Sequence, residues 1–139
     1  MTKQFVNDRA HMTAGPIRPT KSELAILRVL WERGPLSVRD VQAVLNASKP
    51  TGYTTVLKLM QIMTEKRLLE RDDSVRPQLY RARQQQAQTQ KHLLRDFIER
   101  AYGGSVKALV MHALSTKKPS REELEELEAL LERVKKGNV

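Results

Sequence analysis

The order of apolar periodicities between residues 20 and 83 constrains the fold of this chain more than any other feature. Three amphipathic helical patterns are followed there by two short segments of alternating polarity. Thr20 and Glu23 have the spacing of a capping box, which predicts that the first helix begins at this point. Gly34 and Pro35 then end it. Its predicted apolar face consists of Leu24, Leu27, Leu30 and Trp31.

A second and a third helix follow after short turns. Ser37 is the predicted N-cap of the second helix, which ends within residues 46–48. Pro50 and Gly52 mark the turn into the third helix. The predicted buried stripe of the second helix is Val38, Val41, Val44 and Leu45. The predicted inner face of the third helix is Tyr53, Val56, Leu57, Met60 and Met63.

The outer face of the third helix carries hydroxyl, amide and ammonium groups. A helix that reads DNA needs short hydroxyls and a few long polar or cationic side chains in its first turns, because only there do they reach base edges and flanking phosphates. An ordinary solvated face has a similar composition and is the plain alternative for this helix taken alone. On the DNA-binding interpretation, the contacts come from Thr51, Thr54, Thr55, Lys58 and Gln61.

A basic hairpin is predicted immediately after the third helix. Residues 68–71 and 78–83 have strand composition, and the polar residues 72–74 supply the turn between them. A wing that lies on a phosphate backbone needs cations, and the hairpin also carries Arg71. Three helices followed by such a hairpin predict a winged helix-turn-helix domain that binds double-stranded DNA. The predicted phosphate contacts of the hairpin are Arg76, Arg81 and Arg83.

The remainder of the chain is predicted to be helical. A glutamine-rich stretch, residues 84–88, continues into a connecting helix that ends at residues 103–104. A second helix follows, and Ser120 with Glu123 forms another capping box at the start of the last one. We therefore expect a mainly α protein with three parts: a flexible N-terminal arm (1–19), a winged helix-turn-helix DNA-binding domain (20–83) and a C-terminal α-helical dimerisation domain (84–139).

The helices after residue 83 have more apolar surface than so short a segment can bury by itself. Chains below roughly 60 residues leave much of their surface exposed, so another surface has to cover these side chains. A second copy of the chain is the economical choice, because two-fold dimers are the commonest oligomers. The alternative is that these helices fold back on the N-terminal domain of the same chain. The predicted dimerisation residues are Leu93, Phe97, Leu109, Val110, Leu124, Leu127 and Leu131.

The positive charge of the chain is concentrated in its N-terminal part. The net charge is +9; residues 1–83 hold 15 Lys or Arg against 8 acidic residues, whereas residues 84–139 hold 10 against 8. A basic N-terminal part favours a polyanionic partner such as DNA. Within the arm, a minor-groove role for Lys3, Arg9 and Arg18 is an open alternative to disorder.

Other classes of function find no support in the sequence. No nucleophile with a base, no phosphate-binding loop and no metal-ligand spacing is present, so we expect no enzyme activity, cofactor or metal. The chain has no cysteine, which excludes disulfides and thiolate sites and is compatible with a reducing cytosol. It also lacks a run of about eighteen apolar residues that would predict a membrane span. We therefore expect a cytoplasmic protein without membrane association.

Residues 20–136 resemble the penicillinase-repressor family of bacteria, the BlaI/MecI/CopY group. The resemblance rests on the order and spacing of several strings: residues 29–34, 37–41, 53–57, 65–68, 79–81 and 102–110. It implies a dimeric repressor that blocks promoters of resistance or stress-response genes by occupying a palindromic operator.

The chain departs from the family pattern at several positions. The copper branch carries paired cysteines near its C-terminus, and their absence here excludes release by copper at that site. In the resistance branch a sensor-linked protease cuts an Asn-Phe bond, whose position is held here by His112 and Ala113. Ile62 and Arg67 stand where relatives commonly have a basic residue and a glycine. The resemblance thus implies a protease partner without the usual cleavage sequence.

A winged-helix adaptor that binds protein rather than DNA is the alternative from a different functional class. The exposed face of its third helix should be apolar or acidic, and Ile62 is the only apolar residue predicted on that face. A gel-shift comparison of promoter DNA with random duplex separates a sequence-specific repressor from an adaptor.

Overall fold

The computed structural model describes residues 18–138, so most of the predicted arm, including Lys3 and Arg9, lies outside the described residues. The mainly α class is confirmed, as is the order of a winged helix followed by further helices. The elements of the described chain are α1 (Lys21–Arg33), α2 (Val38–Ser48), α3 (Tyr53–Glu65), β1 (Leu69–Asp72), β2 (Leu79–Ala82), α4 (Gln86–Tyr102), α5 (Val106–Thr116) and α6 (Arg121–Lys135).

The chain forms two compact units that divide between Leu93 and Leu94, inside α4. The sequence places the boundary before this helix, at residues 83–84. Thr89 in the second turn of α4 is buried, which shows that the beginning of this helix packs within the first unit. The second unit contains the rest of α4 with α5 and α6.

Local side-chain hydrogen bonds fix where the helices begin. The Thr20 hydroxyl accepts from the Glu23 N–H at 3.2 Å, and the Glu23 carboxylate accepts from the Thr20 N–H at 2.9 Å. This reciprocal pair confirms the predicted capping box. Ser37 caps α2 by accepting from the Asp40 N–H at 3.2 Å, and the capping box predicted at Ser120 begins α6.

The apolar stripes of α1, α2 and α3 meet the wing in one hydrophobic core. Trp31 packs against this core, and its Nε1–H donates to the Gln84 carbonyl oxygen at 2.9 Å, which ties the end of α1 to the segment after β2. The buried apolar residues are Ile26, Leu27, Val29, Leu30, Val38, Val41, Val56, Met60, Met63, Leu69 and Tyr80.

The wing is the antiparallel hairpin of β1 and β2, in which Glu70 lies opposite Arg81. Leu36, between α1 and α2, extends this sheet by an isolated bridge: its N–H donates to the Tyr80 carbonyl at 3.0 Å, and the Tyr80 N–H donates back at 2.8 Å. Tyr80 is only 2% exposed. A two-stranded hairpin is marginal alone, so these bonds and the buried tyrosine fix the wing to the helices.

The end of α3 is a Schellman motif with an arginine in the left-handed position. The Leu68 N–H donates to the Met63 carbonyl at 2.8 Å, and the Arg67 N–H donates to the Thr64 carbonyl at 3.1 Å. Arg67 has φ +67°, a conformation that glycine adopts without strain. The chain thus leaves α3 along the usual path although Arg67 replaces the glycine of its relatives.

One aromatic side chain of α3 lies outside the predicted core. Val56, Met60 and Met63 are buried as predicted, but Tyr53 is 40% exposed, so its assignment to the inner face is wrong. Tyr53 is the first residue of α3, and its ring packs under a cation of α2: the Arg39 guanidinium carbon lies 5.2 Å from the ring centroid.

Candidate nucleic-acid interface

The side of α3 that faces away from the core is polar and accessible. Val56 and Met60 are fully buried on the core side, whereas Ile62 is half-buried. Within residues 18–138, Lys58 forms no ion pair with a carboxylate, so its charge is available to a ligand. We call the exposed set the α3 surface; it consists of Thr54, Thr55, Lys58 and Gln61.

The turn between α2 and α3 is held by side-chain hydrogen bonds to Thr51. The Thr51 N–H donates to the Asn46 Oδ1 at 2.9 Å, and its carbonyl accepts from the Gln42 Nε2 at 3.1 Å. Its hydroxyl donates to the Lys49 carbonyl at 2.8 Å. Thr51 therefore differs from the other predicted contact residues, because its hydroxyl proton is already used within the turn that orients α3.

Arg39 and Tyr53 are candidate interface residues that the sequence reasoning missed. Arg39 lies in the first turn of α2 and is exposed, and its stacking on Tyr53 joins the first turns of α2 and α3. The available signal was an arginine immediately after the Val38 that begins the stripe of α2. A helical period cannot show that the first residue of the next helix lies under it.

The wing arginines are partly neutralised by neighbouring acids. Arg81 forms an ion pair with Glu70, its cross-strand partner, with Nη2–Oε1 2.9 Å apart. Arg71 pairs with Asp73 at 2.6 Å, and these bonds hold the pKa of Arg71 above its usual value. Exposed pairs of this kind are weak. A phosphate can therefore replace the carboxylate, although the exchange reduces the net gain.

The two other predicted wing contacts have different surroundings. The Arg76 Nη1 donates to the carbonyls of Asp73 and Val75 at 2.6 and 3.1 Å, so its side chain is folded over the turn and keeps its charge. Arg83, just after β2, is exposed. Within the part of the chain that the structure describes, no carboxylate pairs with it.

A buried ion pair joins the start of α1 to the end of α3. The Lys66 Nζ lies 3.0 Å from the Glu23 Oε2, and the Glu23 residue is only 2% exposed. Burial raises the pKa of the Glu23 carboxyl, but hydrogen bonds from Thr20 and Lys66 outweigh it and leave the pKa below its ordinary value. This pair fixes the C-terminal end of α3 and so helps to orient the α3 surface.

The second unit exposes a large apolar surface. No residue between 94 and 138 is buried. Phe97 is 50% and Leu131 is 59% exposed, while Leu93 and Leu109 are half-buried. Exposed apolar surface of this extent is typical of an interaction site. The exposed large apolar residues of the unit are Leu94, Phe97, Val106, Val110, Met111, Leu114, Leu124, Leu127, Leu130, Leu131 and Val134.

The cleavage position of the resistance branch lies inside a helix. His112 and Ala113 are both exposed on α5, and the His112 Nδ1 lies 3.1 Å from the Tyr102 hydroxyl. Across residues 18–138, no group of three or more His, Cys, Asp or Glu has the arrangement of a metal site. No helix in that range combines the length and the apolar character needed to cross a bilayer.

Two comparisons relate the whole arrangement to known proteins. The family model described as penicillinase repressor matches residues 19–133, which include the winged helix and most of the helices after it. A penicillinase repressor of Staphylococcus aureus is 20% identical over 115 residues, 83% of this chain and 91% of that protein. The chain therefore belongs to the penicillinase repressor family of DNA-binding transcriptional repressors.

Proposed function

We propose that this protein is a homodimeric, sequence-specific repressor that occupies a palindromic operator. The α3 surface is the observation that carries the proposal, because it is polar, bears the unpaired charge of Lys58 and lies opposite a buried apolar stripe. We assign base-edge and adjacent phosphate contacts to Thr54, Thr55, Lys58 and Gln61. Thr51 orients the helix, and the wing phosphate contacts are Arg76, Arg81 and Arg83.

The apolar surface of the second unit supports the homodimer. Three helices without a buried side chain between residues 94 and 138 do not form a stable core alone. An identical surface on a second copy is self-complementary by symmetry. We assign this interface to the predicted residues Leu93, Phe97, Leu109, Val110, Leu124, Leu127 and Leu131.

A two-fold dimer dictates the form of the operator. Two copies of α3 related by a two-fold axis reach successive major grooves when they lie about 34 Å apart, one turn of B-DNA. The operator should consequently contain two inverted half-sites. Repression follows from occupancy of this site, and no catalytic step is required.

The regulated genes are proposed from the relative alone. The similar Staphylococcus aureus protein is named a penicillinase repressor, which supports control of resistance or stress-response genes from a cytoplasmic location. A sensor-linked protease stays a prediction of the resemblance. The bond between His112 and Ala113 lies within α5, so it has to unwind locally before it can enter a protease cleft.

Binding of genomic DNA to Lys58 variants tests the proposed function. Fragments from the protein's own genome are selected by binding, and the affinity for the best fragment is compared with that for random duplex. Lys58→Ala should weaken binding to the selected fragment by about 1–3 kcal/mol, roughly five- to a hundredfold, because a groove contact is lost. Its thermal unfolding should be unchanged, since Lys58 is exposed.

Lys107→Ala is the matched control for this experiment. Lys107 is an exposed lysine at the start of α5, so this variant has the same loss of charge in the second unit. The proposal predicts an affinity close to that of the unchanged protein. Equal losses for both variants, or equal affinity of the unchanged protein for selected and random duplex, would contradict sequence-specific binding through the α3 surface.

A further inference from the structure

The stacked pair Arg39 and Tyr53 lies at the junction of α2 and α3, beside the α3 surface. The Arg39 guanidinium carbon is 5.2 Å from the centre of the Tyr53 ring, within the range of a cation–π interaction. Both residues are exposed, with 40% of Tyr53 accessible. The pair contributes little to the core, so its arrangement calls for another explanation.

Arg39 differs from the arginines of the wing. Arg71 and Arg81 each have a carboxylate partner, whereas Arg39 is paired with no carboxylate of residues 18–138. Stacking on an aromatic ring limits the motion of the guanidinium without neutralising its charge or using its N–H donors. Arg39 thus keeps a full charge in a restricted position.

We infer that Arg39 is a phosphate ligand of the bound duplex and that Tyr53 is a positioning residue that holds its guanidinium. This inference rests on the proposed function. In helix-turn-helix proteins the helix before the recognition helix crosses the DNA backbone, and Arg39 lies in the first turn of that helix. A prepositioned guanidinium loses less conformational entropy when it binds phosphate. The contact fixes the register of α3 but carries no base information.

The salt dependence of DNA binding distinguishes this role from a packing role. Each phosphate neutralised contributes about 0.9 to the slope of log affinity against log salt concentration. Arg39→Gln should therefore lower the slope by about 0.9 and weaken selected and random duplex by similar factors. Arg121→Gln, with the same charge change at the start of α6, is the control and should leave the slope unchanged.

Variants of Tyr53 test the positioning role. Tyr53→Phe keeps the ring and should bind like the unchanged protein, whereas Tyr53→Leu should weaken binding about threefold with the slope retained, a loss in the range expected of an exposed cation–π pair. The Arg39→Gln, Tyr53→Leu double variant should bind no more weakly than Arg39→Gln alone, because the ring acts through the guanidinium.

The possible outcomes separate this inference from the proposed function. An unchanged slope for Arg39→Gln, in a protein that otherwise binds operator with a steep slope, overturns the phosphate contact and leaves the repressor intact. Additive losses in the double variant overturn the positioning role of Tyr53. If the unchanged protein binds no duplex, the inference and the proposed function fail together.

Discussion

At the scale of single residues, the buried Glu23 gives the first unit a pH-dependent stability. Its pKa lies below the ordinary value of 4.5 because bonds from Thr20 and Lys66 outweigh the effect of burial. A carboxylate with a lowered pKa stabilises the folded state fully above its unfolded pKa. That contribution is lost as the pH falls through the folded pKa.

Glu23→Gln should lower the free energy of unfolding at neutral pH by about 1–3 kcal/mol, the range for a lost charged hydrogen bond. Protonated Glu23 resembles glutamine, so the difference between the two proteins should shrink as the pH falls below 4.5. Urea unfolding at a series of pH values measures it. Glu32→Gln, an exposed acid on the same helix, should show no such difference. A gap that is constant with pH would contradict the ion pair.

Arg67 is the second position where one residue changes stability. Its left-handed backbone, φ +67°, costs an ordinary residue about 1–2 kcal/mol relative to glycine, part of which glycine loses again through its more flexible unfolded state. Arg67→Gly should therefore unfold about 0.5–1 kcal/mol less readily. Arg67→Ala removes the side chain but keeps the strain, so it should be no more stable than the unchanged protein. An alanine variant more stable than the glycine variant would refute this reading.

At the scale of elements, the acids of the wing should moderate DNA affinity. Glu70 pairs with Arg81 at 2.9 Å, and an exposed pair is worth about 0.2–1 kcal/mol. Glu70→Gln frees the arginine, so binding to operator should tighten by up to about fivefold, which is the equivalent of 1 kcal/mol. Fluorescence anisotropy measures the change. Glu128→Gln on α6 gives the same charge change as a control, and tighter binding of both variants by the same factor would assign the effect to net charge.

The helices were predictable because their signals are local. The capping boxes at Thr20 and Ser120 combine residues three apart, and both form as the sequence indicates. The ion pair of Glu23 with Lys66 joins residues 43 apart, and no local pattern contains it. The inward assignment of Tyr53 failed for a related reason: helical period gives a direction around the axis, but not where the neighbouring helices end.

The candidate site shows the same division. The exposure of Thr54, Thr55, Lys58 and Gln61 follows from the buried stripe on the other side of α3 and was predictable from its period. The use of the Thr51 hydroxyl within the turn depends on the position of the Lys49 carbonyl. The pairing of Arg81 with Glu70 depends on the strand register. Charge counts alone therefore overstated the cationic character of the wing.

At the scale of the whole molecule, dimerisation should control affinity for the operator. Leu131 is 59% exposed, so Leu131→Asp should leave the protomer folded while it places a charge in the proposed interface. Sedimentation should show a monomer, and operator affinity should fall by about a hundredfold or more, because two half-sites no longer bind as one unit. Glu128→Ala, nearby on α6, should remain dimeric. A Leu131→Asp protein that stays dimeric would place the interface elsewhere.

The pattern of backbone protection on a selected genomic fragment tests the central claim most directly. A dimer that inserts two copies of α3 should protect two patches from hydroxyl radicals, with centres about one helical turn of DNA apart. The protection should disappear with Lys58→Ala and persist with Lys107→Ala. A single protected patch, or protection that is unchanged in the Lys58→Ala protein, would contradict a two-fold repressor that binds operator DNA through the α3 surface.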